Sequence, residues 1–377
     1  MIENPFMSRI RVCQLITELQ PAGAERVVYE LATRLDRSEF DVQVVGLAGG
    51  AMADKLAAGG VKVTALAARG KWDVLKLSRL VRLLRAERID LLHTHLFHAD
   101  VMGRLAARRA GVPHLVHTVH VAERRFRPWQ YLWARWAAGR CDRIVCVSNA
   151  VRDHHAARTH LPLEDYQVIY NGVDLDAYRP DPLQRQLLRQ QWGVGPRQFV
   201  LAFIGRLDVQ KNPLLFLAAW AALRQRGHDV RAVLAGDGPQ RAAAEQFLRR
   251  HDHAGGARRL GRIDYVGELL AACDVLVAPS RWEGFGLMAA EAMAAGVSVV
   301  GTRVPGLSEL IEEGASGLLV NSEDLPGLVA AIERLLGDAP YRQRLAEAGR
   351  QRVRERFSIA ANIAAHERLY HEVIGVQ

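Results

Sequence analysis

Short runs of aliphatic and β-branched residues alternate with longer Ala-, Leu- and Arg-rich segments of helical period, and this alternation occurs twice along the chain. The first set predicts strands at Ile10–Ile16, Val42–Leu47, Leu91–His95, Leu115–Val119, Arg143–Val147 and Gln167–Ile169. The second predicts Phe199–Ile204, Arg231–Ala235, Val275–Ala278 and Val297–Gly301. Helical stretches such as Ala24–Leu35 and Val74–Arg88 lie between them. Strand-helix alternation of this kind argues for parallel sheets with helices covering both faces. A chain of 377 residues is too long for one ordinary core. The expected class is therefore α/β, with two doubly wound Rossmann-like domains. The stretch 170–196 carries Asn171-Gly172 and Pro180, Pro182 and Pro196 without a strand pattern. It places a first domain at 1–175, a linker at 176–195 and a second domain at 196–356. In open α/β sheets ligands bind beyond the carboxyl ends of the strands, so two such domains facing each other are expected to share a cleft.

Apolar residues at 49% and charged residues at 24% describe a globular chain. The net charge of +9 asks for an anionic partner: a nucleic acid, a membrane surface or a phosphorylated metabolite. The arginines are scattered over many helices and form no single stripe, which argues against nucleic acid. Cys13, Cys141, Cys146 and Cys273 show no paired spacing and read as reduced thiols of a cytosolic protein. No apolar run reaches the roughly 18 residues of a spanning helix. Met1–Ser8 lacks the apolar segment of a secretion signal, so a cytoplasmic location is expected.

Two motifs carry the chemistry. Glu283-Gly-Phe-Gly-Leu-Met-Ala-Ala-Glu291 directly follows a strand. Gly284 and Gly286 permit a tight turn in which backbone amides, including those of Phe285 and Leu287, approach a ligand closely. The helix starting near Leu287 offers its amino end to a phosphate or a hydroxyl-rich group. Glu291, one turn inside, suits the hydroxyls of a ribose, and Glu283 suits those of a sugar. The second motif, Ile204-Gly-Arg-Leu-Asp-Val-Gln-Lys-Asn-Pro213, puts Arg206 and Lys211 on the loop leaving the first strand of the second half. A guanidinium fork and a compact ammonium can neutralise the charge that grows on a diphosphate leaving group.

In this order and on these elements, the motifs resemble glycosyltransferase family 4, of the GT-B fold. That resemblance implies a nucleotide-sugar-dependent enzyme that retains anomeric configuration. Leu19-Gln-Pro-Ala-Gly-Ala-Glu-Arg-Val-Val resembles the family's glycine-rich loop at the donor phosphate. The family has two glycines there and this chain has Ala22-Gly23, so only Gly23 is carried over. His120 in Val116-His-Thr-Val-His120 matches the histidine that touches the transferred sugar. Arg262 and Ile263 in Leu260-Gly-Arg-Ile-Asp264 match the loop that grips the nucleobase. The last helix, Ile359–Ile374 within 357–377, is expected to fold back on the first domain. His93, His95, His98 and His117 are left as cleft-wall or structural residues. Asp174-x-Asp176 looks like a metal-binding pair but lies in the linker, and neither a metal nor another cofactor is expected.

Arg124–Trp136 mixes cations with aromatics, and Trp129, Leu132, Trp133 and Trp136 share a helical face. The expected place for such a stripe is the first domain's core. The alternative is an anionic membrane surface, with Arg124–Arg127 touching an acceptor's phosphates. The expected partners are a UDP- or GDP-sugar and a glycan or lipid-linked acceptor, with catalysis at His120, Arg206, Lys211 and Glu283. An epimerase or phosphorylase of the same fold remains the alternative.

Overall fold

The computed structural model describes residues 9–66, 74–139, 141–195, 198–252 and 255–375. Met1–Ser8 and Pro196 lie outside them. Two compact units make up the chain: Met1–Gly172 with Ala360–Gln377, and Val173–Ile359.

The first unit holds strands β1 (Ile10–Ile16), β2 (Phe40–Gly46), β3 (Lys62–Ala65), β4 (Leu91–His95), β5 (His114–Val119), β6 (Arg143–Cys146) and β7 (Tyr166–Val168). They form one parallel sheet in the order β3-β2-β1-β4-β5-β6-β7. Crossover helices pack against both faces, so the central strands β1 and β4 are buried along nearly their whole length. Leu15 and Leu92 pack with Leu80, Leu84 and Met102 of helices Val74–Ala86 and Phe97–Ala110. Ile16 and Val44 pack with Val28 of helix Gly23–Arg34. The closing helix Ile359–Ile374 belongs to this unit through Tyr370, Phe40 and Asn362.

The second unit holds β8 (Phe199–Ile204), β9 (Val230–Ala235), β10 (Ala257–Gly261), β11 (Val275–Ala278), β12 (Ser298–Thr302) and β13 (Leu318–Val320). Their order is β10-β9-β8-β11-β12-β13, again all parallel. Helix Pro213–Gln225 drives Phe216 and Trp220 into its core, and the Trp220 indole donates to the Val230 carbonyl at 3.2 Å. The stretch 176–195 contains a helix, Pro182–Gln191, started by Pro182 and capped by the Asp181 carboxylate on the Gln184 amide. Arg185 and Arg189 tie that helix to Asp274 at 2.6 and 3.2 Å.

Three strands, β3, β10 and β13, have no counterpart in the sequence pattern, and all three are sheet edges. Lys62, Arg258 and Arg259 interrupt the apolar runs of two of them, and the third has only three residues. Charge and shortness blunt exposed edges, and the same features erase the strand signal. In both sheets the strand order reverses beside the first strand of the unit, at β1/β4 and at β8/β11. A crevice for a ligand opens at such a switch point.

Candidate active site

In the second unit the loops after β8 and β11 lie at the switch point. Arg206 and Asp208 form an ion pair at 2.6 Å, and the other oxygen of Asp208 accepts the Lys211 amide at 3.0 Å. One aspartate thus shapes the loop and aims the guanidinium. Asn212, in the left-handed region at φ 55°, turns the chain into helix Pro213–Gln225. Its side chain donates to Glu323 at 3.0 Å, and Glu323 is also held by Arg281 at 2.6 Å. The Lys211 ammonium meets the Glu283 carboxylate in an ion pair, and Ser280 Oγ donates to the same oxygen at 3.3 Å. The two motifs, 72 residues apart, therefore converge on one contact.

Gly286 caps helix Leu287–Ala294 at φ 95°, a conformation that glycine adopts without strain. A Cβ on Gly306 would lie 2.7 Å from the Gly284 carbonyl, so the glycine turn after β11 is braced by the start of helix Pro305–Leu310. Phe285 turns inward and packs edge-on against Phe357, leaving its backbone as the part of Phe285 that can meet a ligand. Glu291 is the fifth residue of its helix and is buried. Arg262 is exposed and Ile263 half-buried, on the loop after β10.

In the first unit the loop after β1 leads into helix Gly23–Arg34, preceded by extended Ala22. Gly23 is exposed, and a Cβ there would meet nothing within 4 Å. His120 follows β5 and lies half-buried, its Nε2 at 3.0 Å from Nδ1 of His95. Burial, reinforced by His117 and His366, pulls the His120 imidazole down to about 3, so it is neutral at physiological pH. His93 and His95 are fully buried, and burial holds both well below the ordinary histidine value. His117 contacts Asp100 at 3.3 Å beside the buried Asp100–Arg104 pair. At the start of the second unit, Asp174 accepts the Asp176 amide and Asp176 pairs with Arg179 at 2.6 Å. Among the described residues no group of three potential metal ligands occurs.

Known proteins share both halves. Residues 21–177 match the model of Glycosyltransferase Family 4, and residues 198–338 match that of Glycosyl transferases group 1. The alpha-maltose-1-phosphate synthase of Mycolicibacterium smegmatis is 30% identical over 73% of this chain and 77% of its own length. This chain belongs to glycosyltransferase family 4. The UDP-Gal:alpha-D-GlcNAc-diphosphoundecaprenol alpha-1,3-galactosyltransferase of Escherichia coli is 28% identical to the glycosyltransferase over 88% of this chain and 89% of its own. The crystal structure of Anabaena HepE in complex with UDP and glucose superposes with a TM-score of 0.87 at 25% identity, covering 96% of this chain and 100% of HepE. The two parallel sheets with their helices are the GT-B fold.

Sequence reasoning missed glycines of this glycosyltransferase that back the two loops. Gly236 and Gly238 stand at φ 133° and 158° after β9. A Cβ on Gly236 would lie 1.8 Å from the Gly205 carbonyl, and one on Gly238 would lie 2.5 Å from that of Leu207. The first unit repeats the device, since a Cβ on Gly50, after β2, would lie 2.1 Å from the Leu19 carbonyl. The Gly-Asp-Gly spacing at 236–238, just past a strand, was the available signal. The aromatic stripe also departs from expectation. Trp129, Leu132 and Trp136 are 48%, 65% and 57% exposed and do not enter the first unit's core, while Trp133 is half-buried. The core side of helix Pro128–Ala138 is instead Tyr131, Ala137 and Ala138, so the apolar stripe is a second face of an almost wholly apolar helix.

Proposed function

We propose that this glycosyltransferase moves a sugar from a UDP-sugar to a lipid-linked glycan precursor with retention at the anomeric carbon. The Lys211–Glu283 contact at the β8/β11 switch carries the reading. It sets a cation suited to phosphate directly beside a carboxylate suited to sugar hydroxyls, which is the order of groups along a nucleotide sugar. Arg206 and Lys211 stabilise the departing diphosphate, Glu283 holds the sugar, and the amides of Gly284, Phe285, Gly286 and Leu287 face the donor. Glu291 takes the ribose, Arg262 and Ile263 the base, Gly23 a phosphate oxygen, and neutral His120 a hydroxyl of the transferred sugar. Retention by double displacement needs a nucleophilic carboxylate at the anomeric carbon. Glu283 is bound to Lys211 and Ser280 instead, which favours attack on the leaving-group face with the β-phosphate taking the acceptor's proton.

Two similar proteins support the donor and acceptor classes: the Escherichia coli enzyme is a galactosyltransferase for UDP-Gal and a diphosphoundecaprenol-linked sugar, and HepE forms a complex with UDP and glucose. The test is transfer from a panel of UDP-, GDP- and ADP-sugars to a polyprenyl-diphosphate-linked sugar, with the product's anomeric configuration read by NMR. An α-linked product from an α-linked UDP-sugar is expected. A β-linked product, or epimerised donor without transfer, would end this reading.

Such an acceptor sits in a membrane, and we assign the exposed face of helix Pro128–Ala138 to an anionic, cytoplasmic lipid surface. No helix among the described residues is long and apolar enough to cross a bilayer. The segment Glu123–Trp136 carries four arginines against one acid, and its two exposed tryptophans suit the headgroup boundary. Flotation with phosphatidylglycerol vesicles is expected for the natural chain and lost in Leu132→Glu/Trp136→Glu. Equal flotation of both proteins would refute the assignment.

A further inference from the structure

The sheet of the first unit contains a run of polar side chains at positions where its other strands are apolar. Gln14 of β1, His93 and His95 of β4 and Thr118 of β5 are each no more than 1% exposed. Strand register pairs Gln14 with His93 and His95 with Thr118, so all four point to one face of the sheet. Helix Ile359–Ile374 adds Tyr370, itself fully buried. Buried polar groups persist only when hydrogen-bonded, and these form one unbroken chain. Gln14 Nε2 donates to Tyr370 Oη at 2.9 Å. Tyr370 Oη stands 2.6 Å from His93 Nδ1, and His93 Nε2 stands 2.7 Å from Thr118 Oγ1. On its other side Gln14 Oε1 stands 2.7 Å from His95 Nε2, and His95 Nδ1 stands 3.0 Å from His120 Nε2.

Such a chain has a direction. An amide oxygen can only accept, so His95 carries its proton on Nε2 and presents a lone pair at Nδ1. That lone pair faces His120 Nε2, which must then hold the proton of the neutral ring. We propose that Gln14, acting through His95 and anchored by Tyr370, is a positioning residue that fixes His120 as the Nε2–H tautomer and leaves Nδ1 as the acceptor for a sugar hydroxyl. Among the described residues His120 Nδ1 has no hydrogen-bond partner in the protein. The neutral state of every ring in the relay, enforced by burial, keeps the direction from being lost to a doubly protonated imidazole. The catalytic meaning of the relay rests on the role given to His120 under the proposed function. The tautomer itself does not.

Two-dimensional 15N–1H NMR of the imidazole-labelled protein, with His120→Gln for assignment, reads the tautomer without substrate. His120 is expected to show a pyrrole-type Nε2 and a pyridine-type Nδ1. The reverse pattern would mean that the Gln14 amide, and every proton along the chain, runs the other way, and would overturn the proposal even if Gln14 variants fail to fold. In Gln14→Leu the single pattern is expected to give way to a mixture. Turnover should then fall about tenfold to a hundredfold, the range of a displaced acid–base group, with donor KM within about twofold. Tyr370→Phe should do the same more weakly. An unchanged His120 pattern with unchanged turnover in a folded Gln14→Leu protein would also overturn it. Should His120→Gln itself leave transfer intact, the role of His120 in the reaction falls while the tautomer result stands.

Discussion

Arg206→Ala and Lys211→Ala each lower turnover by about 10²–10³-fold, the loss expected when one stabilising charge is removed from a developing anion. Only the second is expected to lower the melting temperature. Arg206 is 54% exposed, and its partner Asp208 keeps the bond from the Lys211 amide when the guanidinium is gone. Exposed ion pairs contribute little to stability. The Lys211 ammonium instead meets a Glu283 side chain that is only 8% exposed. Without it that carboxylate retains the Ser280 hydroxyl at 3.3 Å, and a buried acceptor stripped of its main partner costs about 1–3 kcal/mol. The check is kcat and KM for the donor beside thermal melts of both variants. Turnover within about threefold of the natural chain in both would remove the diphosphate from this loop.

Gly236→Ala is expected to lower stability by about 2–6 kcal/mol and to abolish thermal stabilisation by UDP. A Cβ there falls 1.8 Å from the Gly205 carbonyl, and no side-chain rotation relieves a clash with backbone. The strained φ adds about 1–3 kcal/mol to an overpacking cost of similar size. Gly205 opens the loop that carries Arg206 and Lys211, so the displacement passes directly to those residues. Gly23→Ala is the matched control: its Cβ meets nothing, and its melting temperature should not change. Normal melting and normal UDP stabilisation in Gly236→Ala would show that the contact does not shape the loop.

Much of this arrangement was readable in order of residues. Buried parallel strands leave short apolar runs between helix-length segments, unbroken in β8 and β11 and interrupted in β1 and β4, and all four were read to the residue. The Gly284 and Gly286 turn and the Arg206/Lys211 loop announce themselves because a tight turn and a pair of cations each leave particular residue types at fixed spacings. The edge strands β3, β10 and β13 were not readable, since charges break the pattern of the first two and the third is only three residues long. Nor was the relay: Gln14 and His93 look like interruptions in apolar strands until register makes them neighbours. The aromatic face of helix Pro128–Ala138 misled for a related reason. Its i, i+3, i+4, i+7 spacing says that a stripe exists and cannot say which of two apolar sides the sheet will cover.

Local chemistry along the chain was thus enough to determine the α/β class, the two doubly wound halves and the loops that bear cations and carboxylates, because hydrophobic period and turn chemistry act over a few residues. Folding in three dimensions decided which distant groups meet. Lys211 reaches Glu283, Gly205 sits against Gly236, and Gln14 joins Tyr370 across 356 positions. Strand order and register bring these groups together, and both are properties of the assembled sheet that no segment carries by itself.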